Sequence, residues 1–256
     1  MDYLPYIIGI IYFVMSACLF NLYLGRDCII PVGIKYLRLI GLFLLGTFVF
    51  LTSYPFITFS FITALLITLF IINLFFTILN FYQPIDYIGL ILNPLIFISM
   101  IFFLIIDFDT RGTAVDQNLY LHIVFSLSSY GLLVLAGMQA LILKYQIMSV
   151  KNIQQSSLLN SFPSIEDMEK IMHKLILSGF ILLTFSLLSG IPYITNVTSV
   201  NVEQKITFSL IAWITFLYLI VKKYKSGVKD ISAANLTIGG LLFLIIAYLG
   251  TKLLIS

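Results

Sequence analysis

Charge is what this chain has least of. Only 10% of its 256 residues are Asp, Glu, Lys or Arg, while 61% are hydrophobic. Soluble domains carry about a quarter charged residues and about half apolar ones, so a water-soluble globule is excluded. Histidine and cysteine occur twice each and tryptophan once. The absence of any CxxC or CxxCH motif excludes thiol redox chemistry and covalent haem attachment by this chain. No P-loop, HExxH or GxSxG is present, and no catalytic constellation takes their place. The chain is therefore not expected to be an enzyme, nor to bind nucleic acid.

What it has is a series of apolar stretches of seventeen or more residues with the charges clustered between them. Each is long enough for a helix to cross a hydrocarbon core of about 30 Å. Inside that core the backbone must bond to itself, so only helices or a closed barrel can span it. Runs such as LLVLAGMQALILK do not alternate as barrel strands do. The expectation is an all-α fold, a polytopic transmembrane helix bundle forming one integral membrane domain over 1–256. About eight spans are expected, at 4–24, 37–53, 57–80, 88–106, 118–143, 168–192, 206–221 and 234–253.

The first apolar run has no Lys or Arg before it and Asp2 is acidic, so it reads as a span rather than a signal peptide. Cys18 lies in that run and Cys28 beyond it, at a different depth, so no disulfide is expected. Tyr54-Pro55 and Gln83-Pro84-Ile85-Asp86 mark breaks between spans, because proline cannot continue a helical ladder. Basic residues set the orientation. With both termini outside, eleven of the fourteen fall in cytoplasmic segments, and only Arg111, Lys205 and Lys252 fall outside. The segment at 81–87 is placed in the cytoplasm although it holds no basic residue and one Asp.

Few polar side chains remain where chemistry could occur. His122 opens the fifth span, and Ser126 and Ser129 follow at i+4 and i+7 on the same face. A polar stripe on a membrane helix normally faces the protein interior or a wet cavity. An imidazole there is either an axial ligand to haem iron or another metal, or an interfacial residue bonded to a neighbouring helix or to water. His173, flanked by Lys170 and Lys174, opens the sixth span at the opposite face and is expected to be interfacial. The two histidines lie roughly 20–25 Å apart along the membrane normal, so they cannot ligate one iron together.

The remaining features read as structural. Ser164 is placed to cap the sixth helix, and Gly179, Ser186 and Gly190 leave it a flat face for a neighbour. Asn73, Asn80, Asn93 and Gln139 are intramembrane amides suited to helix packing, the expected role, or to lining a cavity. None of the eleven carboxylates falls in mid-span, which argues against an ion-coupled transporter. Asn196-Val-Thr198 and Asn235-Leu-Thr237 match a glycosylation pattern that arises often by chance. KKYKSGVKD serves as a topology signal and a contact for anionic headgroups.

Four segments together carry a resemblance. LHIVFSLSSYGLLVLAGMQALILKYQ, GFILLTFSLLSG, ITFSLIAWITFLYLIVKKYKSG and AYLGTKLL are similar, in this order and spacing, to the cytochrome c assembly family of haem-handling membrane proteins, which includes the HemX-like proteins. The likeness covers about 118–253, and the first half agrees only in span number and hydropathy. It implies a bacterial inner-membrane location and a link to haem or cytochrome c biogenesis, with haem as cofactor and a membrane protein as partner. His122 occupies the place of the family's outer-face haem ligand, and no other metal is implied. Trp213 matches the tryptophan inside the family's next-to-last span. Haem-handling members also carry a WGxxWxWD loop where this chain has YITNVTSVNVEQK, with no tryptophan, and the histidines that follow it are missing. The alternative is therefore a non-haem scaffold or regulatory subunit that keeps the fold without the cofactor.

Overall fold

The structure is a computed structural model, and it describes residues 3–26, 31–53, 58–59, 61–105, 113–114, 119–152, 161–194, 200–226 and 231–253. These form eight long helices: α1 (Leu4–Tyr23), α2 (Pro31–Ser53), α3 (Phe61–Tyr82), α4 (Gly89–Ile105), α5 (Leu119–Lys151), α6 (Ile165–Ile194), α7 (Val200–Ser226) and α8 (Ile231–Leu253). All eight hold a stretch long and apolar enough to cross a membrane. Among the described residues there is also a pair of two-residue strands, β1 (Thr58–Phe59) and β2 (Thr113–Ala114), paired antiparallel. The Tyr54-Pro55 turn, Cys28, Arg111, Lys229 and Asn196-Val-Thr198 lie outside the described residues. Thr237 of the second glycosylation pattern is buried in α8 and bonds the Ala233 carbonyl, so it packs against the protein.

The chain divides into two compact units, Met1–Asp116 with Gln155–Phe162, and Gln117–Gln154 with Pro163–Ser256. In the first unit α1 packs on α4 and α2, and α2 packs on α3. A short 3-10 turn (Asp86–Ile88) links α3 to α4. It is fixed by Arg38, whose Nη2 donates to Asp86 Oδ1 at 2.5 Å and whose guanidinium lies 4.8 Å from the centre of the Phe76 ring. Asn80 also donates to Asp86 Oδ1 and accepts from the Ile85 backbone N–H. Deeper in the unit, Asn73 donates to the Tyr12 hydroxyl. The start of α2 and the α3–α4 turn thus share one end of this unit, and the Asp of a segment with no basic residue of its own is met by an arginine from α2.

In the second unit α5 packs on α6, α6 on α7, α7 on α8 and α8 back on α5, which closes a four-helix ring. The sequence sets the start of α6: Ser164 Oγ accepts from the Asp167 N–H at 3.2 Å and donates to Asp167 Oδ2 at 2.7 Å, a reciprocal cap. Lys170 pairs with Glu166 one turn on, at 2.9 Å. The α5–α6 contact is close because Gly179 has no side chain; a Cβ there would come to 2.7 Å of Leu133 Cγ. This is the flat face expected from Gly179, Ser186 and Gly190. Helix α5 runs 33 residues, well past the expected end at 143. Gln146, Ile147 and Ser149 are buried beyond that point, so the helix continues because it still has a face to cover.

Candidate functional site at the α5–α6 end

His122 lies in the first turn of α5, half-buried, against the last turns of α6. Its Nδ1 is 2.9 Å from the Ser186 backbone carbonyl. A carbonyl can only accept, so Nδ1 carries the proton and donates it, which leaves the Nε2 lone pair for another partner. Ser189 Oγ donates to the same carbonyl at 2.9 Å and lies 3.4 Å from Nδ1. Gly190 makes room for the ring; a Cβ there would come to 3.0 Å of His122 Cε1. Among the described residues Nε2 has no hydrogen-bond partner. Lys205, in the second turn of α7, is near enough for its charge to act on the imidazole. The end of α6 and the start of α5 therefore meet at His122, with Lys205 of α7 within electrostatic reach.

The two serines on the same face of α5 do different things. Ser129 is fully buried and donates to the Gly179 carbonyl of α6 at 3.0 Å. Ser126 returns to its own helix, donating to the Ile123 carbonyl at 2.9 Å, a common use of serine inside a helix. Further along α5, Gln139 donates to the Met168 carbonyl and Gln146 to the Pro163 carbonyl, both at 2.9 Å. His122, Ser129, Gln139 and Gln146 thus form one ladder of side chains, each bonded to a backbone carbonyl on or beside α6. Among the described residues Gln139 Oε1 and Gln146 Oε1 likewise have no hydrogen-bond partner but are buried, whereas the His122 Nε2 lone pair belongs to a half-buried imidazole. Gln146 and Gly190 were not singled out as parts of this arrangement by the sequence; a glutamine seven residues beyond Gln139, on the same side of α5, was the available sign.

Trp213 of α7 donates from Nε1 to Thr184 Oγ1 at 2.9 Å and stacks on Phe180 at 5.4 Å between ring centres. Thr184 and Ser186 are two residues apart, roughly 200° around α6. Trp213 and His122 therefore dock on different faces of that helix. His173 is buried within the protein, at 7% exposure, with Nε2 3.7 Å from Glu169 Oε1. It lies thirteen residues before Ser186 on α6, roughly 20 Å from the level of His122. Among the described residues no group of three or more His, Cys, Asp or Glu side chains could hold a metal ion.

The chain belongs to the cytochrome c assembly protein family, whose match runs over residues 34–256. That reach takes the likeness well back into the first unit, beyond the 118–253 legible from sequence motifs alone. Among curated proteins, the chain is similar to the Inner membrane protein YpjD of Escherichia coli strains K12, O6:H1 and O157:H7. Each is 27% identical over 136 residues, covering 53% of this chain and 51% of the relative. The match thus spans about half the length of the curated relatives. No solved structure matches the chain.

Proposed function

We propose that this multi-pass protein is a haem-linked accessory of cytochrome c biogenesis in a bacterial inner membrane, with His122 Nε2 as axial ligand to haem iron on the outer side. The observation that carries the proposal is the hold on the imidazole. Its Nδ1–H is tied to the Ser186 carbonyl and its Nε2 is left without a hydrogen bond, the arrangement by which proteins fix a ligating histidine. The residues fit a singly ligated haem: His122 would hold the iron and Lys205 is the cation at hand for a propionate. Haem bound there would supply an iron centre. Ser129 and Trp213 support the helices that present His122.

The test is an absorption spectrum of the protein purified in mild detergent from haem-replete cells, beside His122→Ala. A Soret band near one haem per chain that the substitution abolishes is the expected result. Wild-type protein that is haem-free and takes up no added hemin overturns the proposal. That outcome would favour a non-haem scaffold or regulatory subunit, a reading motivated by the sequence at 193–205, which holds no tryptophan.

A further inference from the structure

At the other end of the second unit, α6 and α7 enclose a cavity of about 230 Å³ lined by Lys170, His173, Lys174, Lys223 and Tyr224, with Leu177 and Ile220 as its apolar wall. The spacing KIMHK puts Lys170, His173 and Lys174 on one side of α6, and Lys223 comes from the last turn of α7. Three lysines thus converge from two helices on a space with no carboxylate in its lining. Lys170 is committed to Glu166 at 2.9 Å and Asp167 at 3.7 Å. Lys174 and Lys223 have no ion pair within 4 Å among the described residues. Glu169 is the acid that faces the group, 3.7 Å from His173 Nε2 and near enough to act on Lys223. His173 is buried behind the lysines and its Nε2 has no hydrogen-bond partner.

The height of this cavity narrows its ligand. On α6 the lysines precede the continuous apolar stretch that begins at Leu175, and Lys223 is three residues from the end of α7. The cations therefore lie at headgroup level, with Leu177 and Ile220 on the hydrocarbon side. Water occupies roughly 30 Å³ per molecule, so the cavity has room for a phosphate ester. Basic pockets between membrane helices bind anionic headgroups through the same charges that set topology.

We propose that this cavity is a phosphate-binding site, occupied in the membrane by the headgroup of an acidic phospholipid. Lys174 and Lys223 are its principal cations, and the acyl chains of the lipid pass Leu177 and Ile220.

The experiment is native mass spectrometry of the full-length protein with added phosphatidylglycerol or phosphatidylcholine. Phosphatidylglycerol should be retained in preference, and the double substitution Lys174→Gln with Lys223→Gln should reduce that retention about tenfold. Lys174→Arg with Lys223→Arg should keep it. Lys222→Gln with Lys225→Gln, on the same turns of α7 but outside the cavity, should also keep it; Lys222 lies over the Tyr218 ring instead. Inorganic phosphate as competitor separates the sources. Failure to displace the lipid assigns the site to headgroups, and displacement assigns it to phosphate esters generally. Equal loss in the two glutamine pairs overturns the proposal. So does a wild-type protein with no preference between the two lipids, a result that needs no variant to fold.

Discussion

Gly190 lies under the imidazole of His122: a Cβ in its place would come to 3.0 Å of Cε1 and 3.1 Å of Nδ1. Contacts this short force the ring to give by a few tenths of an ångström, against a hydrogen bond of 2.9 Å to Ser186. We therefore predict that Gly190→Ala weakens hemin binding about fivefold, a loss of about 1 kcal/mol in fixing the ligand. The helix itself should not suffer, since alanine is favoured over glycine by about 1 kcal/mol. Gly239→Ala is the control, because nothing lies within 4 Å of a Cβ there. Titration followed at the Soret band measures both; equal affinity in the two variants would show that the ring is not held from below.

The serines of α5 should separate cleanly in their effects. Ser129→Ala removes a buried bond to the Gly179 carbonyl, and interhelical hydrogen bonds in membranes are worth about 0.6 kcal/mol on average. Ser126→Ala removes only a bond within α5 and should leave stability unchanged. Neither should alter the Soret band by itself. Unfolding in detergent, paired with the spectrum of each variant, checks this; loss of the band in Ser126→Ala would place that hydroxyl at the ligand after all.

Which stretches are helices that cross the membrane was legible, because hydrocarbon thickness and backbone bonding leave one solution for long apolar runs. Where they end was not. Hydropathy falls at Lys144, yet α5 continues to Lys151 because Gln146, Ile147 and Ser149 still face protein. The break at Gln83-Pro84 was legible from proline alone, since α3 ends at Tyr82. His122 stood out as a polar residue at the mouth of an apolar span. Its anchor did not, because Ser186 is 64 positions away and the pairing depends on the antiparallel register of two helices. Spacing also grouped Ser126 with His122, and spacing cannot show that a hydroxyl has turned back on its own backbone. The pairing of Arg38 with Asp86, 48 positions apart, had no local pattern to announce it.

That pair makes a prediction about topology as well as stability. Arg38 is buried, while the Asp86 side chain is about a third exposed. Breaking a fully buried pair costs about 3–5 kcal/mol, and partial solvation of Asp86 should reduce the loss in Arg38→Met to about 2 kcal/mol. Asp86→Asn, which keeps the shape and the bond from Asn80, should cost less. The pairing further requires Lys35 and Tyr82, both exposed near it, to be on one side of the membrane. In a background with Cys18 and Cys28 replaced, Lys35→Cys and Tyr82→Cys should label with a membrane-impermeant thiol reagent from the same side. Labelling from opposite sides would contradict the placement of the 81–87 segment.

Trp213 offers a way to test the two faces of α6 independently. Its indole bonds Thr184 and stacks on Phe180, while Thr184 also donates to the Phe180 carbonyl. Trp213→Phe keeps an aromatic ring against Phe180 but leaves the Thr184 hydroxyl without the donated N–H, at a cost of about 1 kcal/mol. Because Thr184 and Ser186 are roughly 200° apart on α6, this loss should not reach His122. The variant should therefore melt earlier in detergent yet take up hemin with wild-type affinity, whereas Gly190→Ala should do the reverse. If Trp213→Phe instead lowered hemin affinity as much as Gly190→Ala, the tryptophan would be acting on the ligand itself. Trp213 would then belong to the binding site, despite docking on a different face of α6.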